Sequence, residues 1–246
     1  MSTVTLRMGD FGSYETYTKK ILGVLFFNMT VCSSCFSAIV SYNNGDFQKV
    51  SDVICDAVLD IRYYSSNNFT GQKIRGYNAP VPYLTKKALN ALVVAANDLR
   101  QQGYRLLIWD AYRPQKAVDH FVEWINDPKD PGDKSFYPNI EKSNLISGGY
   151  IAPKSGHSRG STIDLTIVKK DGSSVDMGGT FDLFDKRSNR NYERLTEVQK
   201  NNRKILENAM IKVGFVGANS EWWHCTYKDE DHKNTYFDFD IGYDLK

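Results

Sequence analysis

Ser155 to Val168 reads SGHSRGSTIDLTIV. From Ser161 onward, Ile163, Leu165 and Ile167 fall at alternate positions, which is the period of a strand. Asp164 sits inside that apolar run. A buried carboxylate is costly unless it is paired or binds a metal, so this residue needs a reason to be there. His157 stands seven positions earlier. On one continuous strand the two side chains would face opposite sides, because the side-chain period is two. Gly160 lets the chain turn between them, so His157 comes from a loop and Asp164 from the strand. Taken alone, Asp164 is equally well explained by a structural salt bridge.

The neighbouring stretches supply the rest of a sheet and its helices. Tyr104 to Trp109 (YRLLIW) reads as a buried strand, and Glu221 to Tyr227 (EWWHCTY) as an aromatic-rich one. A short strand is expected near Leu59–Tyr63. Thr85 reads as the N-cap of a helix through Gln102, with Ala88, Leu89, Leu92, Ala95, Ala96 and Leu99 at helical spacing and Gly103 as its stop. Pro114 opens a second helix to about Asn126. Leu195 to Val213 forms a third, with Val198, Ile205, Leu206, Ala209 and Met210 on one side and Gly214 at its end. Asp127 to Gly149, with Pro128, Pro131 and Pro138, is a long loop, and loops beyond about 12–15 residues are usually functional or mobile. Helices and strands mix without a regular alternation. That pattern predicts an α+β fold, a single domain with a central, mostly antiparallel sheet flanked by helices, over a doubly wound parallel one.

Composition narrows the function classes. The chain has 246 residues, with 31 Lys and Arg against 29 Asp and Glu, a net charge of +2. At 41% hydrophobic and 24% charged it is ordinary globular material. No clustered basic excess points to nucleic acid. With 4 His and 4 Cys, neither a disulfide scaffold nor a Cys-rich zinc framework organises the fold. Ile21 to Val40 (ILGVLFFNMTVCSSCFSAIV) carries no charge and follows Lys19-Lys20, so residues 1–40 read as an apolar leader, either a signal peptide or a membrane anchor. Either places the catalytic part, residues 41–246, outside the cytoplasm, in the periplasm of a bacterium or anchored facing outward. The membrane is then met only through the leader. Cys55 and Cys225 follow it; the reading is free thiols, with a disulfide between them as the alternative.

The residues able to carry chemistry are few. Glu221-Trp222-Trp223-His224 offers a carboxylate and an imidazole three apart. His224 alone reads as a core histidine, but with His157 and Asp164 it completes a His₂-carboxylate ligand set and leaves Glu221 free beside it. Catalytic zinc uses three protein ligands and keeps one position for water, whose pKa it lowers toward about 7. A nearby carboxylate can take that proton and return it to a leaving amine, the role that Glu221 fits. Imidazole in the set favours zinc, one per chain, over magnesium or calcium. In Trp109 to Pro114 (WDAYRP), Arg113 stands at the corner between a strand and a helix, where a fixed guanidinium can hold a carboxylate or a developing oxyanion. Asp110 either orients it or caps the following turn. His120, inside the second helix, and His232, in an acidic tail, read as non-ligands.

The pairing of SxHxxGxxxD, at Ser155–Asp164, with ExxH, at Glu221–His224, resembles the zinc D-Ala-D-Ala peptidases. Asp60 to Tyr77 (DIRYYSSNNFTGQKIRGY), Trp109 to Ala117 (WDAYRPQKA) and DMGGTFD at Asp176 are similar to the vancomycin-resistance-type D-alanyl-D-alanine dipeptidases. The resemblance covers about residues 50 to 230. It implies zinc bound by His157, Asp164 and His224, Glu221 as catalytic base, and Arg113 stabilising the tetrahedral intermediate. It further implies that Ser155 and Asp176 line the substrate pocket, and that the substrate is D-Ala-D-Ala or a related peptidoglycan-derived peptide. Two positions depart from the family pattern: Thr162 stands where Ala is usual, and Gly156 replaces a common Ser. Two other readings remain: an exported D,D-carboxypeptidase or peptidoglycan endopeptidase of the same fold, and a non-catalytic zinc-containing wall-binding module.

Overall fold

The computed structural model describes residues 46–245. The leader expected over residues 1–40 lies outside the described residues, and no described helix is long and apolar enough to cross a membrane. The central sheet has five strands: β2 (Val58–Leu59), β4 (Tyr104–Asp110), β5 (Thr162–Lys169), β6 (Phe215–Gly217) and β7 (His224–Tyr227). Their order is β2-β4-β5-β7-β6. Only the β2–β4 pair is parallel, so the sheet is mostly antiparallel, as the irregular mix of elements predicts. A separate antiparallel ribbon joins β1 (Phe47–Lys49) to β3 (Tyr83–Thr85).

Three helices cover the sheet. Helix α1 (Lys86–Gln101) buries Ala88, Leu89, Leu92, Ala95, Ala96 and Leu99, the stripe that its spacing predicts. It packs against β4 and against α3 (Glu197–Lys212). The start of α3 is fixed by a capping box: the Thr196 hydroxyl accepts from the Gln199 amide, and the Gln199 side chain accepts from the Thr196 amide. Helix α2 (Gln115–Asn126) follows Pro114, which occupies the N-cap itself. Its Phe121 meets Tyr63 and Phe69 edge-on or tilted at about 5 Å, in an aromatic cluster that Trp124 and Phe184 extend.

Some expected elements differ. The strand near Leu59–Tyr63 stops at Leu59, and Arg62–Tyr64 is a 3-10 turn. Thr85 sits at the N-cap of α1, but its hydroxyl is hydrogen-bonded to Ser161 at 2.7 Å instead of capping the helix. Glu221 to Trp223 precede the last strand as a turn, and only His224 to Tyr227 pair.

One rung of the sheet matters most. Asp110 of β4 pairs with Asp164 of β5, which pairs with His224 of β7. Directly opposed residues on adjacent strands share a face, so the rung presents these three side chains together. Between Ile108 and Asp110 the register slips by one residue at Trp109, a β-bulge. The bulge carries Asp110 onto that rung, and bulges commonly re-aim a side chain beside a functional site.

Candidate active site

Asp164 forms the floor of the site. Its Oδ2 lies 3.1 Å from His157 Nε2, and its Oδ1 lies 3.1 Å from His224 Nδ1. His157 enters from a short 3-10 turn (Gly156–Arg159) just ahead of β5. Gly160 ends that turn with φ +83°, and a Cβ there would run into the Phe47 ring, so both conformation and space require glycine. This is the chain reversal that lets residues seven apart converge.

The two imidazoles are set for ligation. His157 Nδ1 donates to the Ala111 carbonyl at 2.7 Å, which leaves Nε2 as the lone-pair nitrogen facing the site. His157 Nε2 and His224 Nδ1 face each other at 3.2 Å. One ligand atom each from His157, Asp164 and His224 lie within 4.8 Å of one another. Asp164 Oδ1 is buried and receives no well-aligned hydrogen bond. Two ring nitrogens converging on one under-satisfied carboxylate form a donor set that a divalent cation fits, and the mixed imidazole and carboxylate chemistry suits a borderline-soft transition metal. Burial alone would raise the Asp164 pKa, but His157 and His224 outweigh it and hold the carboxyl below the usual carboxylate range. Burial lowers His157, whereas His224 is raised because the Asp164 carboxylate 3.1 Å away outweighs burial.

Glu221 stands beside the cluster, with Oε2 3.5 Å from His224 Nδ1 and its side chain 19% exposed. Burial pushes its pKa up to about 7. Its position comes from the turn before β7, where the His224 amide donates to the Glu221 carbonyl and Trp222 and Trp223 are buried on either side of the corner. Arg190 braces the same corner from behind, donating to the carbonyls of Ala218 and His224 and pairing with Glu207.

Arg113 is held just beyond the end of β4. Its Nε donates to Asp110 at 2.9 Å, its Nη2 lies 3.5 Å from Asp164, and its guanidinium lies over the Tyr63 and Phe121 rings. Burial opposes its charge, but Tyr63, Asp110, Tyr77 and Asp164 outweigh that and keep it cationic. Asp110 in turn accepts from the Tyr77 hydroxyl at 2.7 Å, so it orients Arg113 and is no surface cap. Burial raises the Asp110 pKa despite those partners.

His157, Asp164, His224, Glu221 and Arg113 line one cavity of about 230 Å³, together with Ser155, Lys154, Tyr63, Phe184 and Asp182. The Ser155 hydroxyl accepts from the His157 amide and so fixes the turn as well as lining the cavity. Asp176 is a correction. It is exposed, outside the cavity, and its carboxylate accepts from the Gly178 amide and from Gln199 at the start of α3. The cavity acid from that segment is Asp182, six residues on. It is 5% exposed, accepts from the Tyr63 hydroxyl at 2.7 Å, and is the sole non-glycine residue at positive φ (54°) among the described residues. Burial raises its pKa well above the ordinary value. The missed signal was an Asp between Phe181 and Leu183, the same anomaly that singled out Asp164.

The remaining candidates lie elsewhere. His120 accepts from the Arg75 amide on the outer side of α2, and His232 meets Asp46. Cys225 is a free, buried thiol whose pKa burial pushes up to about 11, so the pairing of Cys55 with Cys225 is not made. The two departures from the family pattern prove to be one feature. The Thr162 hydroxyl bonds that of Thr226 at 2.9 Å, and a Cβ at position 156 would meet Thr162 Oγ1 at 2.9 Å. Glycine at 156 makes room for the threonine.

The family model described as D-Ala-D-Ala dipeptidase matches residues 43–241. A D-alanyl-D-alanine dipeptidase of Streptomyces coelicolor is 40% identical over 200 residues, covering 80% of this chain and 99% of that protein. Proteins of the same description from Enterococcus faecium and Enterococcus faecalis are 39% and 42% identical. They cover 79% and 74% of this chain, and 98% and 92% of their own lengths.

Proposed function

The chain belongs to the D-Ala-D-Ala dipeptidase family, and from that premise we propose that it is a zinc metallopeptidase that hydrolyses D-Ala-D-Ala to two D-alanines. The observation that carries this reading is the convergence of His157, Asp164 and His224 with Glu221 alongside, in one cavity. His157 Nε2, Asp164 and His224 Nδ1 would hold the zinc, which when bound supplies the Lewis acidity that makes water nucleophilic near neutral pH.

The chain's own groups do the rest. Glu221 accepts the proton of the attacking water and delivers it to the nitrogen of the leaving D-alanine. Its raised pKa suits a group that must both take and give a proton near pH 7. Arg113 has N–H donors beyond those used by Asp110 and Asp164, and these stabilise the oxyanion of the tetrahedral intermediate. Asp110 and the ring faces of Tyr63 and Phe121 hold the guanidinium in place. At the buried end, Asp182 and the Tyr63 hydroxyl receive the free ammonium of the substrate. A cation arriving there draws the proton off Asp182 and gives that buried carboxylate its partner.

A group that needs a free ammonium one residue before the cleaved bond excludes longer peptides that end in D-Ala-D-Ala. The test is product analysis of the zinc-loaded protein offered D-Ala-D-Ala beside a pentapeptide ending in D-Ala-D-Ala. The expected result is two D-alanines from the dipeptide and no release from the pentapeptide. Release of D-alanine from the pentapeptide at a comparable rate would favour the carboxypeptidase reading instead.

A further inference from the structure

A second cavity shares a wall with the catalytic one. It holds about 380 Å³ and is lined by Thr166, two residues along β5 from Asp164 and so on the same face of the sheet. The wall is built from two stretches that serve both cavities. Glu221 and Asp182 line the catalytic cavity, while Trp222 and Thr180 line the second. Trp109 stacks on Phe181 at 5.2 Å and meets Trp222 edge-on, which fills the wall with rings.

The second cavity is short of acceptors. Trp109, Trp222 and Thr166 all line it, and both indole Nε1 atoms and the Thr166 Oγ1 are buried without a hydrogen-bond partner. They are three of nine such atoms among the described residues, so unmet polar groups concentrate here. Arg203 stands behind them. It is 5% exposed, lies over the Trp222 ring, and donates to the carbonyls of Met177, Asn189 and Arg187, with no carboxylate partner among the described residues. A buried cation without a counter-charge is costly. Arg203 Nη2 and Trp222 Nε1 each lie 3.9 Å from the point that a Cβ on Gly179 would occupy, so cation and donor meet at one spot of the lining. The carboxylates of the lining are Asp60, already paired with Arg62, and the exposed Asp176, whose hydrogen-bond donors are the neutral Gly178 and Gln199.

Buried donors backed by a cation at one end and an exposed carboxylate at the other complement a small zwitterion. We propose that this cavity is a second ligand site for a small α-amino acid, the reaction product D-alanine, with its carboxylate at the Trp109 and Trp222 indoles and its ammonium toward Asp176. The identity of the ligand rests on the dipeptidase reading, whereas the site rests on its own donors. The site also accounts for Asp176, which the catalytic cavity leaves without a role.

The test follows the indole N–H resonances of the zinc-loaded, isotope-labelled protein by NMR as D-alanine or D-alaninamide is added. D-alanine should shift the Trp109 and Trp222 resonances saturably. D-alaninamide keeps the ammonium but lacks the carboxylate, and should leave them in place. Gly179 has no positive φ, and a Cβ there meets only ordinary contacts, so Gly179→Leu occupies the shared spot without backbone strain and should abolish the shifts. Thr166→Val, of similar size, removes one donor and should weaken D-alanine binding about threefold. Absence of shifts at Trp109 and Trp222, equal shifts with the amide, shifts that persist in Gly179→Leu, or unchanged affinity in Thr166→Val would each overturn the inference. The readout is binding, so none of these outcomes bears on hydrolysis of D-Ala-D-Ala, which product analysis decides separately.

Discussion

At the scale of the residue, a single buried carboxylate did the most to expose the site. Asp164 stood out because an apolar strand has no use for an acid, and the structure supplies two imidazoles as the reason for it. Asp182 carries the same signature but sits in a loop with no strand period to measure it against, and the resemblance points to the exposed Asp176 of that segment instead. Glu221 yields a pH prediction. Burial raises its pKa to about 7, and a bound cation nearby lowers it again, so the loaded enzyme's value lies below 7. The base works only as carboxylate, so kcat/KM should fall about tenfold per unit on the acid side of that value and level off above it. A pH–rate profile checks this, and a rate that stays level well below pH 4.5 would contradict it.

At the scale of the element, the strands and helices with strong periodicity were legible and the short ones were not. Helix α1 and strands β4 and β5 follow directly from their apolar spacing. The ribbon of β1 and β3, at three residues each, has too few positions to show a period. The bulge at Trp109 was hidden for another reason: a register slip is a property of two strands, and no single stretch records it. The turn that delivers His157 packs against β5 through Gly156 and Thr162, and this contact gives a prediction on stability. Gly156→Ser alone should destabilise the protein, because Thr162 Oγ1 occupies the space needed. Combined with Thr162→Ala it should cost less than the sum of the two single changes, by about 1 kcal/mol. Denaturant unfolding of the four proteins measures the coupling, and additive costs would contradict the shared-space account.

At the scale of the whole molecule, the chain is built so that three strands and two turns meet at one rung. Asp110, Asp164 and His224 arrive along the sheet, while His157 and Glu221 arrive on the turns just ahead of β5 and β7. In the proposed mechanism the same sheet thus fixes the metal donors, the base and, through Asp110, the cation that faces the oxyanion. On that reading four histidines suffice, because only two are needed when the third donor is a strand carboxylate. The central claim is that His157, Asp164 and His224 hold the metal while Glu221 performs the proton transfer. Glu221→Ala separates these roles. Its zinc content and its rate on D-Ala-D-Ala, measured beside the wild type, should show about one zinc per chain retained and hydrolysis reduced by roughly a hundredfold or more. A Glu221→Ala protein that keeps its zinc and hydrolyses D-Ala-D-Ala at near the wild-type rate would contradict the account.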